Sequence, residues 1–121
     1  MKIDHLYSDP DGTSHFGKIE LAMSGGEMRV QSLMQDAVSW RMAINQPGHA
    51  VSFHPTPSPT FLIVLSGEHE MTASDGTVLV SRAGDVLLAE DVTGVGHAVR
   101  FTGNESSTTL IIVMPNASTL R

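Results

Sequence analysis

The stretch "GHAVSFHPTPSPTFLIVLSG", residues 48–67, joins a proline-rich segment to a strongly apolar run. Residues 61–65 are all apolar and are closed by Ser66-Gly67, which predicts a buried β-strand. Just before them, His54 is followed by prolines at positions 55, 57 and 59. Prolines at alternate positions make a stiff, extended segment that cannot donate regular ladder hydrogen bonds. The sequence therefore places a histidine and a rigid segment directly beside a buried strand.

The residues after this stretch alternate between strand and turn patterns. In "EHEMTAS", residues 68–74, alternation places His69 and Met71 on one face. Asp75-Gly76 is a strong hairpin signal. Further β-rich runs follow, namely "TVLVSR", "VLLAE", "HAVRF" and "STTLIIVM". Short strands at this spacing predict an all-β sandwich or barrel.

The first half of the chain gives a weaker pattern. "SHFGKIEL" and "SWRMAIN" are predicted strands, and in the latter Trp40, Met42 and Ile44 alternate with Arg41 and Ala43. Between them, residues 22–38 hold an i, i+3, i+4, i+7 stripe that is typical of a helix: Val30, Leu33, Met34 and Ala37. The segment also fits a long loop that carries apolar side chains. We predict an irregular segment with one helical turn.

Length and composition limit the class of protein. The chain has 121 residues, the usual size of one domain, and we predict a single domain over residues 1–121. Its formal net charge of −6 argues against nucleic acid and anionic membranes as partners. It has no cysteine, so thiolate metal sites and disulfides are excluded. The N-terminus has no apolar signal-peptide region, and a cytoplasmic protein is the expectation.

The opening stretch resembles the first sequence motif of the cupins, which are small β-barrels. That motif reads Gly, five residues, His-x-His, three or four residues, Glu, six residues, Gly. Gly48, His54 and Gly67 stand at matching positions. Thr56 stands where the second histidine would be, and Thr60 stands where the glutamate would be.

A second stretch resembles the second cupin motif, which reads Gly, five residues, Pro-x-Gly, two residues, His, three residues, Asn. Gly84 is followed after five residues by Glu90 in place of proline. The turn that ends at Gly94 is two residues longer than Pro-x-Gly, and His97 follows after two intervening residues. Phe101 replaces the asparagine. Together the motifs cover about residues 48–101, and the resemblance implies an all-β cupin barrel, also called a jelly roll or double-stranded β-helix.

The resemblance implies metal ligands at His54 and His97, since in cupins both motifs supply ligands to a divalent transition metal such as Fe, Mn, Ni or Zn. Two imidazoles alone hold such a metal weakly, and a neutral threonine hydroxyl is a poor ligand. His69 and His15 are the candidates for a third ligand. His49 is five residues from His54 and therefore lies on the opposite face of the strand.

Three functions are consistent with these residues. The first is a small-molecule-binding cupin with an incomplete metal site, whose pocket is formed by His54, Thr56, Thr60, Leu62, Val64, His69, Met71 and His97. Trp40 is a candidate for the pocket wall or for the core. The second is a metal-dependent oxygenase, isomerase or lyase that uses His54, His97 and a recruited histidine.

The third is a metal-free acid–base enzyme similar to the sugar-epimerase-like cupins. In it, His97 or His54 would be the base, and Glu90 or Asp91 would orient it. The resemblance also implies a homodimer, because cupins commonly pair through N-terminal strands. The prolines at 55, 57 and 59 would stiffen a barrel mouth that lacks a full metal cage, or blunt an exposed strand edge.

Overall fold

The computed structural model describes residues 1–115, and these residues form strands and turns only. The strands are β1 (Lys2–Ser8), β2 (Ser14–Glu20), β3 (Ser24–Gly25), β4 (Val30–Gln31), β5 (Ser39–Asn45), β6 (Ala50–His54), β7 (Thr60–Ser66), β8 (Glu68–Ala73), β9 (Val78–Arg82), β10 (Val86–Glu90), β11 (His97–Thr102) and β12 (Ser107–Val113). The all-β class predicted from the sequence is confirmed. Residues 1–115 contain no helix, and therefore no helix that could cross a membrane.

Two main sheets carry the fold. The larger has six strands in the order β2-β1-β10-β7-β12-β5, and the smaller has four in the order β6-β11-β8-β9. Strands β1 and β10 run parallel, and every other paired strand in these sheets is antiparallel. Consecutive strands often lie in different sheets, so residues from distant parts of the sequence meet between them.

The N-terminal strand β1 was not predicted from the sequence. It lies between β2 and β10, and its side chains contribute to both apolar clusters of the protein, one on each face of the sheet. Ile3 and Leu6 point to opposite faces and are both buried. A strand that is buried on both faces lacks the polar–apolar alternation on which the sequence prediction relied.

Apolar side chains pack on both faces of the six-stranded sheet. One cluster lies between the two sheets and joins residues of both: Leu6, Met71, Ala73, Leu87 and Ala89. The other cluster lies on the outer face of the larger sheet: Ile3, Ile19, Leu88 and Met114. The neighbouring residues Leu87 and Leu88 belong to different clusters, as strand alternation requires.

The helical turn predicted within residues 22–38 is wrong. The segment forms a short hairpin of β3 and β4, in which the Gly26 N–H donates to the Arg29 carbonyl at 3.0 Å. Gly25 has φ +150°, and a Cβ there would lie 2.1 Å from the Arg29 carbonyl oxygen. The glycine pair therefore closes a tight turn, and the chain pairs back on itself instead of coiling. Leu33 and Met34 of the helical stripe are exposed.

Candidate functional site

A cavity of about 430 Å³ opens between the two sheets at the end where β6 leads into β7. This volume lies within the range of small-molecule sites, roughly 300–1,000 Å³. Its wall is formed by Arg41, His54, Thr56, Pro57, Ser58, Thr60, Leu62, Ala89, His97, Ile111 and Val113. Of the eight residues predicted to line a pocket, five lie in this wall: His54, Thr56, Thr60, Leu62 and His97.

His54 and His97 face each other across neighbouring strands. They are directly paired in the register of β6 and β11, and their ring centroids lie 4.6 Å apart. The Nδ1 of His54 lies 2.8 Å from the Ser52 carbonyl oxygen. Because a carbonyl oxygen only accepts hydrogen bonds, this Nδ1 carries the proton, and the Nε2 of neutral His54 keeps its lone pair.

A buried carboxylate orients His97. Asp91 is 0% exposed, and its Oδ2 lies 2.6 Å from the Nδ1 of His97. The Thr56 hydroxyl donates to Asp91 Oδ1 at 2.6 Å, and the Thr56 N–H donates to the Asp91 carbonyl at 3.0 Å. Both carboxylate oxygens are therefore engaged. The arrangement holds a proton of His97 on Nδ1, so in the neutral ring Nε2 is the hydrogen-bond acceptor.

A glycine allows β11 to begin this close to β6. Gly96 has φ +78°, and a Cβ there would lie 1.9 Å from the His54 carbonyl oxygen. The Gly96 carbonyl also accepts a hydrogen bond of 2.7 Å from the buried hydroxyl of Ser14. The close approach of the two strands, and with it the pairing of His54 with His97, depends on the missing side chain.

The proline-rich segment forms the rim of the cavity. Pro57 and Ser58 lie in the wall, and the buried Thr60 hydroxyl donates to the Ser58 carbonyl at 2.7 Å. Thr56, between two prolines, uses its N–H to bind Asp91. The prolines thus occupy positions that need no backbone donor, and the side chains between them supply the polar groups.

Three predicted pocket residues lie outside the cavity wall. Val64 and Met71 are buried deeper between the sheets. His69 is paired in register with Phe101, four residues along β11 from His97, and the two rings pack edge to face with their centroids 5.7 Å apart. His69 is only 3% exposed. Burial, reinforced by repulsion from His97, holds the pKa of His69 below its ordinary value.

The other two candidate histidines also lie apart from the His54–His97 pair. His15 binds Asp75 Oδ2 through Nδ1 at 2.8 Å and Asp9 through Nε2. The hydrogen bonds to these two carboxylates raise the pKa of His15. His49 is exposed and stacks on the Phe101 ring at 5.8 Å. Both rings are thus engaged elsewhere, so neither His15 nor His49 joins the cavity.

The donor set does not fit the metal site that the sequence motifs imply. Within residues 1–115 no three His, Cys, Asp or Glu side chains are grouped so that they could hold a metal ion. The two remaining motif positions are Thr56 and Thr60, whose hydroxyls already donate to Asp91 and Ser58. The cavity therefore offers two imidazole nitrogens and no carboxylate that is not already engaged.

Arg41, Ala89, Ile111 and Val113 line the cavity but were not among the predicted site residues. Alternation in "SWRMAIN" correctly separated Arg41 from Trp40, but alternation cannot say which face points inward.

Trp40 is 68% exposed on the outer face, so its predicted place in the pocket wall or the core is wrong. Glu90 binds His5 at 2.7 Å, and of the two candidate orienting carboxylates Asp91 is the one bound to His97.

Comparison with known proteins identifies the family. The family model for the Cupin domain matches residues 41–114. This chain belongs to the cupin family. The cupin family and its barrel fold, predicted from the sequence, are thereby confirmed. No curated protein matches this cupin.

Solved structures of similar cupins agree in fold. A Cupin 2 conserved barrel domain protein from Salinispora arenicola is 20% identical, with a TM-score of 0.54 over 74% of this chain and 76% of that chain. A cupin superfamily protein from Desulfitobacterium hafniense is 22% identical, with a TM-score of 0.53 over 70% and 73% of the two chains. An uncharacterized double-stranded β-helix protein from Klebsiella pneumoniae is 25% identical, with a TM-score of 0.53 over 68% and 76%.

Proposed function

We propose that this cupin binds a small organic molecule in the cavity beside His54 and His97. The observation that carries the proposal is the pairing of two imidazoles, each with Nδ1 bound to an acceptor, so that in the neutral rings each Nε2 can accept a hydrogen bond from a ligand. Opposite them lies an apolar wall that includes Leu62 and Ile111. A few convergent polar groups against an apolar surface are typical of a small-molecule site.

A fragment screen tests this proposal. Fragments of up to about 15 non-hydrogen atoms suit a cavity of this class. We expect hits to shift the ring-proton NMR signals of His54 and His97, and to lose affinity in His54→Ala. His49→Ala, which alters an exposed ring outside the cavity, should bind hits as the wild type does. Hits that bind equally to wild type and His54→Ala, or an absence of hits, would contradict the proposal.

We also propose a second function, metal-free acid–base catalysis, because the Asp91–His97 pair has the form of an oriented base. In such a reaction His97 Nε2 would take a proton from the bound molecule. The resulting imidazolium would be stabilised by the buried Asp91 carboxylate. Thr56 would hold that carboxylate in place through its hydroxyl.

Deuterium exchange tests the second function. Small ketones with acidic C–H bonds are incubated with the protein in deuterated buffer, and incorporation is followed by NMR. We expect exchange that is lost in His97→Gln and persists with a chelator. Equal exchange rates in wild type and His97→Gln would show that His97 is not the base. Metal-dependent chemistry is not proposed, because the cavity supplies only two imidazole donors.

We propose further that two copies form a homodimer through the outer face of β5. Trp40, Met42 and Ile44 expose large apolar side chains there, and β5 is an edge strand with one unpaired side. An exposed apolar stripe on a strand edge favours association. The larger sheet has two edge strands, the N-terminal strand β2 and β5. We place the contact at β5 because its outer face carries the exposed apolar stripe.

A further inference from the structure

The cavity wall carries one permanent positive charge, that of Arg41. We infer that the bound molecule is an organic anion, a carboxylate with a small apolar body, and that Arg41 is the residue that selects the charge. This inference rests on the proposed function of the cavity and adds the chemical class of its ligand.

The position of Arg41 follows from the register of three neighbouring strands. Arg41 of β5 pairs with Ile111 of β12, which in turn pairs with Leu62 of β7. Paired residues point to the same face of a sheet, and all three line the cavity. The Arg41 side chain is therefore on the cavity side of β5, where the residue is exposed, with Trp40 and Met42 on the opposite face.

Arg41 differs from two other arginines in its electrostatic partners. Arg82 contacts Glu68 at 3.3 Å and Arg100 contacts Glu70 at 3.2 Å, both as ion pairs. Within residues 1–115, the side chain of Arg41 takes part in no ion pair or hydrogen bond. Its guanidinium keeps five N–H donors in a planar fork that matches a carboxylate with two parallel hydrogen bonds.

No residue of the cavity wall competes for this charge. The wall contains no Asp or Glu. The nearby carboxylate of Asp91 is 0% exposed, and both of its oxygens accept hydrogen bonds from Thr56 and His97. An entering anion would therefore meet a guanidinium without having to displace a protein carboxylate.

The apolar residues of the cavity wall determine what kind of group fits beside the charged head of the ligand. Leu62, Ala89, Ile111 and Val113 present apolar surface beside Arg41. The formal net charge of −6 repels anions at long range. At physiological salt such long-range fields are screened beyond about 8 Å, so selection must come from direct contact with Arg41. A carboxylate head with a short hydrocarbon body matches Arg41 and these four apolar residues.

Three probes of nearly equal size test the charge selection: hexanoate, hexanamide and hexylamine. Binding to the full chain at pH 7 is measured by calorimetry, and the site is verified by the NMR shifts of the His54 and His97 rings. We expect hexanoate to bind about tenfold more tightly than hexanamide, since hydrogen bonds to charged groups are the stronger ones, and hexylamine to bind most weakly.

Substitutions at Arg41 give the decisive comparison. Arg41→Gln should remove the preference for hexanoate and leave hexanamide affinity unchanged. Arg41→Lys keeps the positive charge but loses the planar set of N–H donors, so this variant should keep part of the preference for hexanoate. Arg100→Gln, on the outside of the smaller sheet, is the matched control and should behave as the wild type. Amide NMR spectra of each variant establish that the fold is retained.

The outcomes separate this inference from the proposed function. Equal affinity for hexanoate and hexanamide at the two histidines, or an unchanged preference in Arg41→Gln, would overturn the inference and leave small-molecule binding intact. If none of the three probes binds, the inference is overturned. The fragment screen with His54→Ala then decides the proposed function separately.

Discussion

The Nδ1 of His97 lies 2.6 Å from the Oδ2 of Asp91, a carboxylate that is completely buried. The two residues are six positions apart, at the end of β10 and the start of β11, so the turn between the strands fixes their geometry. Thr56 completes the arrangement from the segment after β6. Residues from three places in the sequence thus determine which nitrogen of one imidazole carries the proton.

Asp91→Asn should reverse the tautomer of His97. The amide would keep an oxygen for the Thr56 hydroxyl and turn its N–H₂ donor toward His97, which must then accept through Nδ1 and carry its proton on Nε2. Nitrogen NMR of the His97 ring measures this directly. Asp85→Asn, at an exposed carboxylate, is the control and should leave His97 unchanged. The same tautomer in wild type and Asp91→Asn would contradict the assignment.

Asp91→Ala should cost more stability than Asp91→Asn. Removing the carboxylate leaves the Nδ1–H of the buried His97 ring and the Thr56 hydroxyl without their acceptor, and each buried donor left unsatisfied costs about 1–3 kcal/mol. Urea unfolding at pH 7 measures the loss. A cost of less than about 1 kcal/mol, the usual range for an exposed pair, would mean that the contact contributes no more than a surface ion pair.

Gly96→Ala should strongly destabilise the fold. The new Cβ would lie 1.9 Å from the His54 carbonyl oxygen, at φ +78°. Clash and backbone strain together predict a loss of about 3 kcal/mol or more in the free energy of unfolding. Gly84→Ala has a similar φ of +93° but no heavy atom within 4 Å of its Cβ, and should cost about 1 kcal/mol. Equal losses in urea unfolding would mean that the close approach is unimportant.

Most of the fold could be predicted from the sequence, because its strands carry their own signals. Asp75-Gly76 marks a hairpin, and the alternation in residues 68–73 agrees with the buried positions of His69 and Met71. The spacing of glycines and histidines in residues 48–101 indicated the family. Strand β1 escaped prediction because both of its faces are buried, and the hairpin of β3 and β4 because apolar spacing alone resembled a helix.

The candidate site was predictable only in part. Alternation divides the residues of a strand between two faces, but it does not show which face points toward the cavity. The motif spacing gave His54 and His97, and the longer second turn brought Asp91 into consideration. At β5 the more apolar face carries Trp40 and would be expected inside. The structure places Arg41 on the cavity side of β5 instead and leaves it exposed, because that side of this edge strand borders a cavity rather than the packed core.

Met42→Glu should dissociate the proposed homodimer. Met42 is 54% exposed on the outer face of β5, and a carboxylate there would be placed in the contact between the copies. Light scattering should show the mass falling from twice 12.9 kDa to 12.9 kDa. Val78→Glu, at a residue of β9 with the same 54% exposure, is the matched control and should stay dimeric. A monomeric wild type would refute the dimer.

The buried ring of His69 should make the fold less stable in mild acid. Because its pKa is held below the ordinary value of 6.5, the unfolded chain takes up a proton at this residue before the folded chain does. Stability is therefore complete above pH 6.5 and is lost as the pH falls below it. The slope from one such proton is at most about 1.4 kcal/mol per pH unit. Neighbouring His97 and Asp85 act on the same ring with opposite signs, and the repulsion from His97 is the larger.

His69→Leu isolates this contribution, because it removes the titrating ring and both of its unpartnered nitrogens while keeping an apolar side chain. Urea unfolding between pH 5 and 8 should show a shallower acid loss in this variant than in the wild type. His15→Gln should instead make the loss of stability in acid steeper than in the wild type. The raised pKa of His15 stabilises the folded state at low pH, and that stability is lost as the pH rises through it. If wild type and His69→Leu lose stability in parallel below pH 6.5, then His69 does not control the acid response.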